Sequence, residues 1–283
     1  MTFRTRFAPS PTGPLHLGHA FSAITAYRMA QKQGGAFLLR IENIDSQRSR
    51  QGWENLIYED LAWLGLTWEQ PVLRQSERED AYQNALSRLD SFGLLYPCTC
   101  TRADIETAVS APQEGVSPFG PDSRMYPGTC RKRRMTDAQS GDALRLDMAK
   151  AVALLDSDLS YFEHRGLIEG HHFIHPTQLI NQVGDVVLKR RQSGDVAYHL
   201  AVVLDDDAQG ITHVVRGADL EDATKIHVLL QHLLAIQTPD YVHHRLIRDA
   251  AGKRLAKRTD AKSIKTYRDQ GVQPKDIYIR LGL

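Results

Sequence analysis

The segment from Arg6 to His19, R-F-A-P-S-P-T-G-P-L-H-L-G-H, constrains this chain more than any other. Phe3 and Phe7 give the short apolar start of a first strand, and Pro9, Pro11 and Gly13 then form a rigid turn. A helix begins near Leu17. His16 and His19 stand three apart at its start and so share one face. They sit beside the backbone N–H groups that a first helical turn leaves without partners, at the positive end of the helix dipole. Nucleotide phosphates bind at such places. The plainer reading of the same residues is a pair of surface histidines capping a helix.

Downstream, helix and strand signals alternate. Residues 17–32 read as a helix ended by Gly34-Gly35, and Ala36 to Ile41 as a short buried parallel strand. Trp53, Leu56, Ile57, Leu61 and Leu64 keep helical spacing, with Gly65 as C-cap, and Tyr82, Ala85, Leu86 and Leu89 mark another helix ending near Gly93. Ile211 to Val215 reads as a strand, and Ile226, Leu229, Leu230, Leu233 and Leu234 as an amphipathic helix. Strand–helix alternation at both ends predicts an α/β fold, an open Rossmann-like parallel sheet with helices on its faces. Ligands then bind beyond the carboxyl ends of strands, where His16 and His19 fall.

The 283 residues suffice for one large domain or two small ones, and a net charge of +1 exerts no global pull on nucleic acid. Any RNA contact must come from local runs such as Arg131–Arg134, Lys189–Arg191 or Lys253-Arg254 with Lys257-Arg258, each of which reads alone as a solvated face. There is no apolar stretch of membrane-spanning length and no signal-peptide core, so the expectation is a cytoplasmic protein without a membrane partner. With no heptads or large apolar stripe, the expectation is a monomer.

The middle of the chain breaks the alternation. Residues 108–125 are rich in Ser, Pro and Gly and read as a mobile loop. Around it lie Cys98-Thr-Cys100 and Tyr126-Pro-Gly-Thr-Cys130, which hold all three cysteines. Clustered cysteines in a cytosolic protein point to metal, and three thiolates with one phenolate make a tetrahedral Zn²⁺ site. Three inert buried cysteines remain the alternative. His171, His172 and His175 lack a matching acidic or thiol partner and read as polar loop or surface residues.

Charge logic marks a second constellation. A free amino acid with an acidic side chain carries two carboxylates and one ammonium. Arginine is the natural partner of the carboxylates. Arg6 and Arg216 stand at strand ends and fit that role; Glu42, after the Phe37–Ile41 strand, suits the ammonium, and Ser10 and Tyr198 offer hydroxyls. By composition alone, Glu42 and Arg216 read equally well as a mutual salt bridge, or as linked to Asp45 or Asp219.

The string R-F-A-P-S-P-T-G before H-L-G-H resembles the class I aminoacyl-tRNA synthetases, in their glutamyl and glutaminyl branch. Leu39–Glu42, Ala197–Leu200, Val203–Asp206 and Ile211–Gly217 resemble glutamyl-tRNA synthetase segments in the same order, so that the likeness covers residues 3–100 and 183–260. It implies a glutamate site at Arg6, Ala8, Ser10, Glu42, Tyr198 and Arg216, and a catalytic motif at His16, Gly18 and His19. Lys253-Arg254-Leu255-Ala256-Lys257-Arg258 is similar to the K-M-S-K-S loop of that class. Lys257 matches its second lysine, while Arg254 and Ala256 depart from the first lysine and the serine. The resemblance assigns Arg254, Leu255, Ala256, Lys257 and Arg258 to an ATP-binding loop.

The chain ends about 25 residues after that loop, short of an anticodon-binding domain, and it carries Cys98-x-Cys100…Tyr126-x-x-x-Cys130. Both features resemble the truncated paralogue family, the glutamyl-Q tRNA(Asp) synthetases. That likeness implies ATP and Mg²⁺, one structural Zn²⁺ held by Cys98, Cys100, Tyr126 and Cys130, and activation of L-glutamate without tRNA. The glutamyl group then passes to queuosine in the anticodon loop of tRNA(Asp). The expected organisation is a first catalytic half over 1–95, an insertion over 96–182, a second half over 183–245, and the loop with a short C-terminal stub over 246–283. Glutamylation of a tRNA 3′ end, a non-catalytic glutamate or nucleotide sensor, and a ligase for another small amine are the alternatives.

Overall fold

The computed structural model describes residues 2–109, 119–121, 123–165, 168–248 and 262–283. Strand β1 (Arg4–Phe7) leads into helix α1 (Leu17–Lys32), and β2 (Ala36–Ile41) returns parallel to β1, pairing Arg6 with Leu38. Helix α2 (Gln51–Trp63) crosses to β3 (Glu69–Arg74), again parallel to β2, and α3 (Glu79–Ser91) follows. Both α2 and α3 end where the spacing predicts. Gly65 and Gly93 take φ of +80° and +69° just past them, the left-handed backbone that closes a helix.

A second run of the chain builds β4 (Leu95–Cys98), α4 (Arg102–Val109), the small β5–β6 pair (Phe119–Gly120, Ser123–Arg124), β7 (Ala143–Leu146) and α5 (Met148–Ala153). The loop expected over 108–125 thus yields a strand pair at its end, and 110–118 lie outside the described residues. The hairpin β8 (Leu159–Arg165) and β9 (Ile168–Ile174) carries His171 and His172 on a strand rather than a loop. After the short α6 (Pro176–Gln178) come β10 (Val187–Lys189), α7 (Tyr198–Ala208), β11 (His213–Gly217), α8 (Thr224–Leu233) and β12 (Asp240–His244). Helices α9 (Ile264–Asp269) and α10 (Pro274–Leu281) end the chain.

Strands β11 and β12 run parallel, with Arg216 opposite His243, and β8 and β9 extend that sheet in the order β11-β12-β8-β9. The first sheet, β1-β2-β3, abuts it through β1. Thr212 donates its N–H to the Arg4 carbonyl at 3.0 Å, and Arg4 returns its N–H to Thr212 Oγ1 at 2.8 Å. Strand order therefore reverses between β1 and β11, and a crevice opens beyond their carboxyl ends, where open α/β sheets bind ligands.

Two apolar cores support this frame. Ile24, Leu39, Ile57 and Leu61 gather between the first sheet and α1 and α2. The second core packs Leu86, Leu146, Leu200, Ile226 and Leu229. Ile264, Ile277 and Leu281 join the first core, where α9 packs against α2 and α10 against α1. No helix of the described residues is long and apolar enough to cross a membrane.

Candidate functional site

A cavity of about 500 Å³ opens at the crevice, lined by Arg6, Ala8, Ser10, His16, Gly18, His19, Glu42, Tyr198 and Arg216 among others. The fold thus brings together every residue expected at the amino-acid site and all three described residues of the expected catalytic motif. Arg254, Leu255, Ala256, Lys257 and Arg258 lie outside the described residues. The chain on either side of them is at the crevice: Arg245, Leu246 and Ile247 line it, and Ile264 donates its N–H to the Leu15 carbonyl at 2.8 Å.

His16 is the N-cap of α1, and its Nδ1 accepts the Gly18 N–H at 3.1 Å. His19 Nδ1 accepts the His16 N–H at 3.2 Å, which closes a reciprocal cap, and the two rings stack at 3.8 Å. With Nδ1 of each ring accepting, the neutral tautomer carries its proton on Nε2. A Cβ at position 18 would sit 3.0 Å from His16 Cε1, so any larger residue than Gly18 would push on the His16 ring. The H-x-G-H spacing is therefore a local device that fixes two imidazoles over a helix N-terminus.

Among the described residues, the charged side chains behind the cavity form ion pairs, with Arg216 the exception. Arg6 grips Asp206 with Nε at 2.8 Å and Nη2 at 3.3 Å, and Arg40 meets the same carboxylate at 2.6 Å and Glu42 at 3.2 Å. The Arg6 and Arg40 cations hold Asp206 below the usual carboxylate range against the opposing effect of burial. Burial pushes Glu42 up, and Arg40 and Arg6 only partly offset it. A cation entering the cavity beside Glu42 relieves that cost.

Arg216 is the exception. It is buried on β11, and its side-chain hydrogen bonds go to neutral acceptors: Nε to His243 Nε2 at 3.1 Å, Nη1 to His227 Nδ1 at 3.0 Å, and Nη2 to Thr224 Oγ1 at 2.6 Å. Neither the Glu42 pairing nor the Asp219 link that composition allows forms here; Asp45 pairs with Arg48 and Arg190 instead. Both histidines are held in the accepting tautomer from behind. His243 Nδ1 donates to Glu163 Oε2 at 2.6 Å, and His227 Nε2 donates to His199 Nδ1 at 3.0 Å. Burial, with Arg216 alongside, lowers the His227 pKa well below its ordinary value, so the ring stays neutral. The result is a guanidinium oriented on three sides and not neutralised by any of the three. Tyr198, at the start of α7, packs edge-on against His227 at 5.7 Å and faces the same cavity.

The sequence reading missed Arg40, His227, His243, Thr224 and Glu163. Arg40 and Asp206 do lie inside segments singled out for other reasons.

Away from the crevice, Cys98, Cys100 and Cys130 converge with Tyr126. The Tyr126 hydroxyl lies 3.4 Å from both Cys98 Sγ and Cys100 Sγ, and Cys100 and Cys130 are 3.5 Å apart. A tetrahedron with the usual zinc bond lengths has ligand–ligand edges of about 3.5–3.8 Å. With no cation among them, burial raises Cys100 to about 11 and puts Tyr126 above the phenol range. Burial also opposes ionisation of Cys130, yet hydrogen bonds led by Tyr126 bring it down to about 6. Four such groups ionise together only around a cation, and the donor set is compatible with zinc. Arg145 stands by, its Nε 3.3 Å from Cys98 Sγ and its guanidinium over the Tyr126 ring. The basic runs are partly occupied: Arg131 pairs with Asp185, Arg133 with Asp142 and Arg190 with Asp45.

Comparison with known proteins accords with this geometry. Residues 2–283 match the family described as tRNA synthetases class I (E and Q), catalytic domain. The glutamyl-Q tRNA(Asp) synthetase of Rhodobacter capsulatus is 55% identical over 99% of this chain and 99% of its own. That of Geobacter sulfurreducens is 41% identical over 93% of this chain and 78% of its own. Among solved structures, a glutamate tRNA ligase from Elizabethkingia meningosepticum in complex with its amino acid superposes with a TM-score of 0.76 at 27% identity. This chain covers 60% of that one. Together, the sheet's switch point, the stacked His16–His19 pair and these likenesses make the chain an enzyme of the class I tRNA synthetases, a ligase belonging to the glutamyl-Q tRNA(Asp) synthetase family.

Proposed function

We propose that this enzyme activates L-glutamate with ATP in the absence of tRNA and then esterifies queuosine in the anticodon loop of tRNA(Asp). The observation that carries the glutamate assignment is Arg216, a buried cation whose side-chain hydrogen-bonding partners among the described residues are neutral. A carboxylate side chain entering the cavity supplies the missing charge, and amides or alkyl groups do not. Glu42 receives the α-ammonium, Tyr198 and Ser10 contribute hydroxyls, and Ala8 lines the cavity beside them.

In the first step an α-carboxylate oxygen of glutamate attacks the α-phosphorus of ATP. A P–O bond forms, the bond to the β-phosphate bridge breaks, and pyrophosphate leaves. The N-terminus of α1 and the Nε2–H groups of His16 and His19 offer donors to the charge that develops on phosphorus. Lys257, flanked by Arg254, Leu255, Ala256 and Arg258, is assigned to the leaving pyrophosphate. Mg²⁺ carried by ATP supplies the remaining neutralisation of the phosphates. In the second step a hydroxyl of the queuosine ring attacks the acyl carbon. The anhydride C–O bond breaks, AMP leaves, and the hydroxyl proton passes to solvent. Cys98, Cys100, Tyr126 and Cys130 are assigned to one structural Zn²⁺, a closed four-ligand site with no place for substrate. A tRNA substrate fits the expectation of a cytoplasmic enzyme.

The test is transfer of labelled glutamate to tRNA(Asp) that carries queuosine and to the same tRNA prepared without it. Label on the first alone, lost when the modified nucleoside is excised, is the expected result. Label on the 3′ end of the queuosine-free tRNA overturns the acceptor assignment.

A further inference from the structure

At the amino ends of β11 and β12, on the side of the sheet away from the catalytic crevice, three ligand-bearing side chains converge. His213 opens β11, Asp240 opens β12, and His164 comes across from β8. One carboxylate oxygen, Asp240 Oδ2, lies 2.9 Å from His164 Nε2 and 3.6 Å from His213 Nε2. The ligand atoms of all three residues fall within 4.8 Å of one another. We propose that His164, His213 and Asp240 form a second metal site, for a divalent transition ion of the zinc class, separate from the cysteine cluster.

The hydrogen bonding behind the rings supports it. His164 Nδ1 meets Glu169 Oε1 at 2.8 Å, and His213 Nδ1 meets Thr212 Oγ1 at 2.8 Å. Thr212 Oγ1 also accepts the Arg4 N–H at 2.8 Å, and both the Arg4 carbonyl, at 3.2 Å, and His213 Nδ1 are within reach of its hydroxyl proton. In the tautomer in which His213 Nδ1 donates to Thr212 Oγ1, the lone pair of Nε2 is aimed at a carboxylate oxygen 3.6 Å away. Two electron-rich atoms facing each other are stable with a cation between them. Phe3 stacks on His213 at 4.0 Å and holds the ring in that orientation. Carboxylate or hydroxyl partners on the far nitrogen are the usual supports of metal-bound imidazoles. The distances also fit, since two tetrahedral ligands at nitrogen and oxygen bond lengths stand about 3.3 Å apart, between the 2.9 and 3.6 Å observed.

Without a cation, the two ring nitrogens of His164 face carboxylate oxygens, Glu169 Oε1 and Asp240 Oδ2. On metal binding its Nε2 proton leaves to solvent, and Nε2, Asp240 Oδ2 and His213 Nε2 become ligands. A fourth position stays open to water. The ion ties the β8–β9 hairpin to the first residues of β11 and β12. In β8 and β12 these ligands stand close to Glu163 and His243, the residues that support Arg216 from behind.

The test is equilibrium dialysis of the full chain against Zn²⁺, followed by counting bound metal, for the wild type, His213→Gln, Asp240→Asn and Cys130→Ser. Two equivalents in the wild type and one in each of His213→Gln and Asp240→Asn are expected, with the histidine-site equivalent persisting in Cys130→Ser. Replacement by Co²⁺ adds a second readout: one equivalent shows thiolate charge-transfer absorption, and the other shows visible bands without it. The proposal is overturned when no wild-type equivalent is lost in His213→Gln and Asp240→Asn, and equally when every bound Co²⁺ shows thiolate charge-transfer absorption.

Discussion

At the residue scale, the account rests on Arg216. Truncating a buried, hydrogen-bonded charge that pairs with a ligand costs roughly 2–5 kcal/mol, so Arg216→Ala should lower kcat/KM for glutamate by about 10²–10³-fold. Arg216→Lys should recover little, because an ammonium cannot satisfy His243, His227 and Thr224 while also forking onto a carboxylate. Steady-state pyrophosphate exchange against glutamate concentration checks this, and the loss should fall on glutamate with the KM for ATP little changed. His227 makes a prediction about stability. Its folded pKa lies well below the ordinary value of 6.5 that holds when the chain unfolds. Below that pH the unfolded chain binds the extra proton, so stability falls as pH drops, by up to about 1.4 kcal/mol per pH unit for one site. His227→Asn keeps an acceptor toward Arg216 and removes the titrating ring. Urea melts from pH 7 to pH 5 should show a shallower decline in that variant, and an unchanged slope contradicts the assignment.

At the element scale, each functional group is placed by the end of a strand or the start of a helix. Glu42 follows β2 and accepts its position from the Glu42 N–H bond to the Pro9 carbonyl at 3.0 Å. The N-terminus of α1 places His16 and His19 through a reciprocal cap within four residues, while Ser263 bridges His16 from the far end of the chain, so only their shared face was legible from the H-x-G-H spacing. The strands β8 and β12 were not. Glu163 and His243 are buried polar residues inside them, and they break the apolar run by which a buried strand is recognised. The cysteine cluster belongs to this scale too, since Cys98 ends β4 and Arg145 of β7 braces it. Chelation should remove one zinc from the thiolates and lower the unfolding midpoint of the enzyme, and Cys130→Ser should do the same without chelator. Metal analysis alongside thermal melts checks both; a Cys130→Ser variant with full zinc content at the thiolate site contradicts the ligand set.

At the scale of the whole molecule, the two apolar cores meet along β1 and β11, and the charge pairs that cross this seam define the cavity. Arg6 and Asp206 are 200 positions apart in the chain, and Arg40 and Asp206 are 166 apart. The α/β class, α1 to α3 and the residues that line the crevice could be read from local spacing and family likeness. The partners of those residues could not, because a single sequence does not say which of its many carboxylates and imidazoles will close on a given arginine. The neutral character of Arg216's hydrogen-bonding partners emerges only once those pairs are known, and the proposed role of this residue as a carboxylate receptor rests on it.

Glutamate-dependent exchange of labelled pyrophosphate into ATP, with no RNA present, tests this account most directly. It predicts exchange with glutamate, little with aspartate or glutamine, and near-complete loss in Arg216→Ala. Exchange that begins only when tRNA is added, or that runs equally well with glutamine, contradicts it.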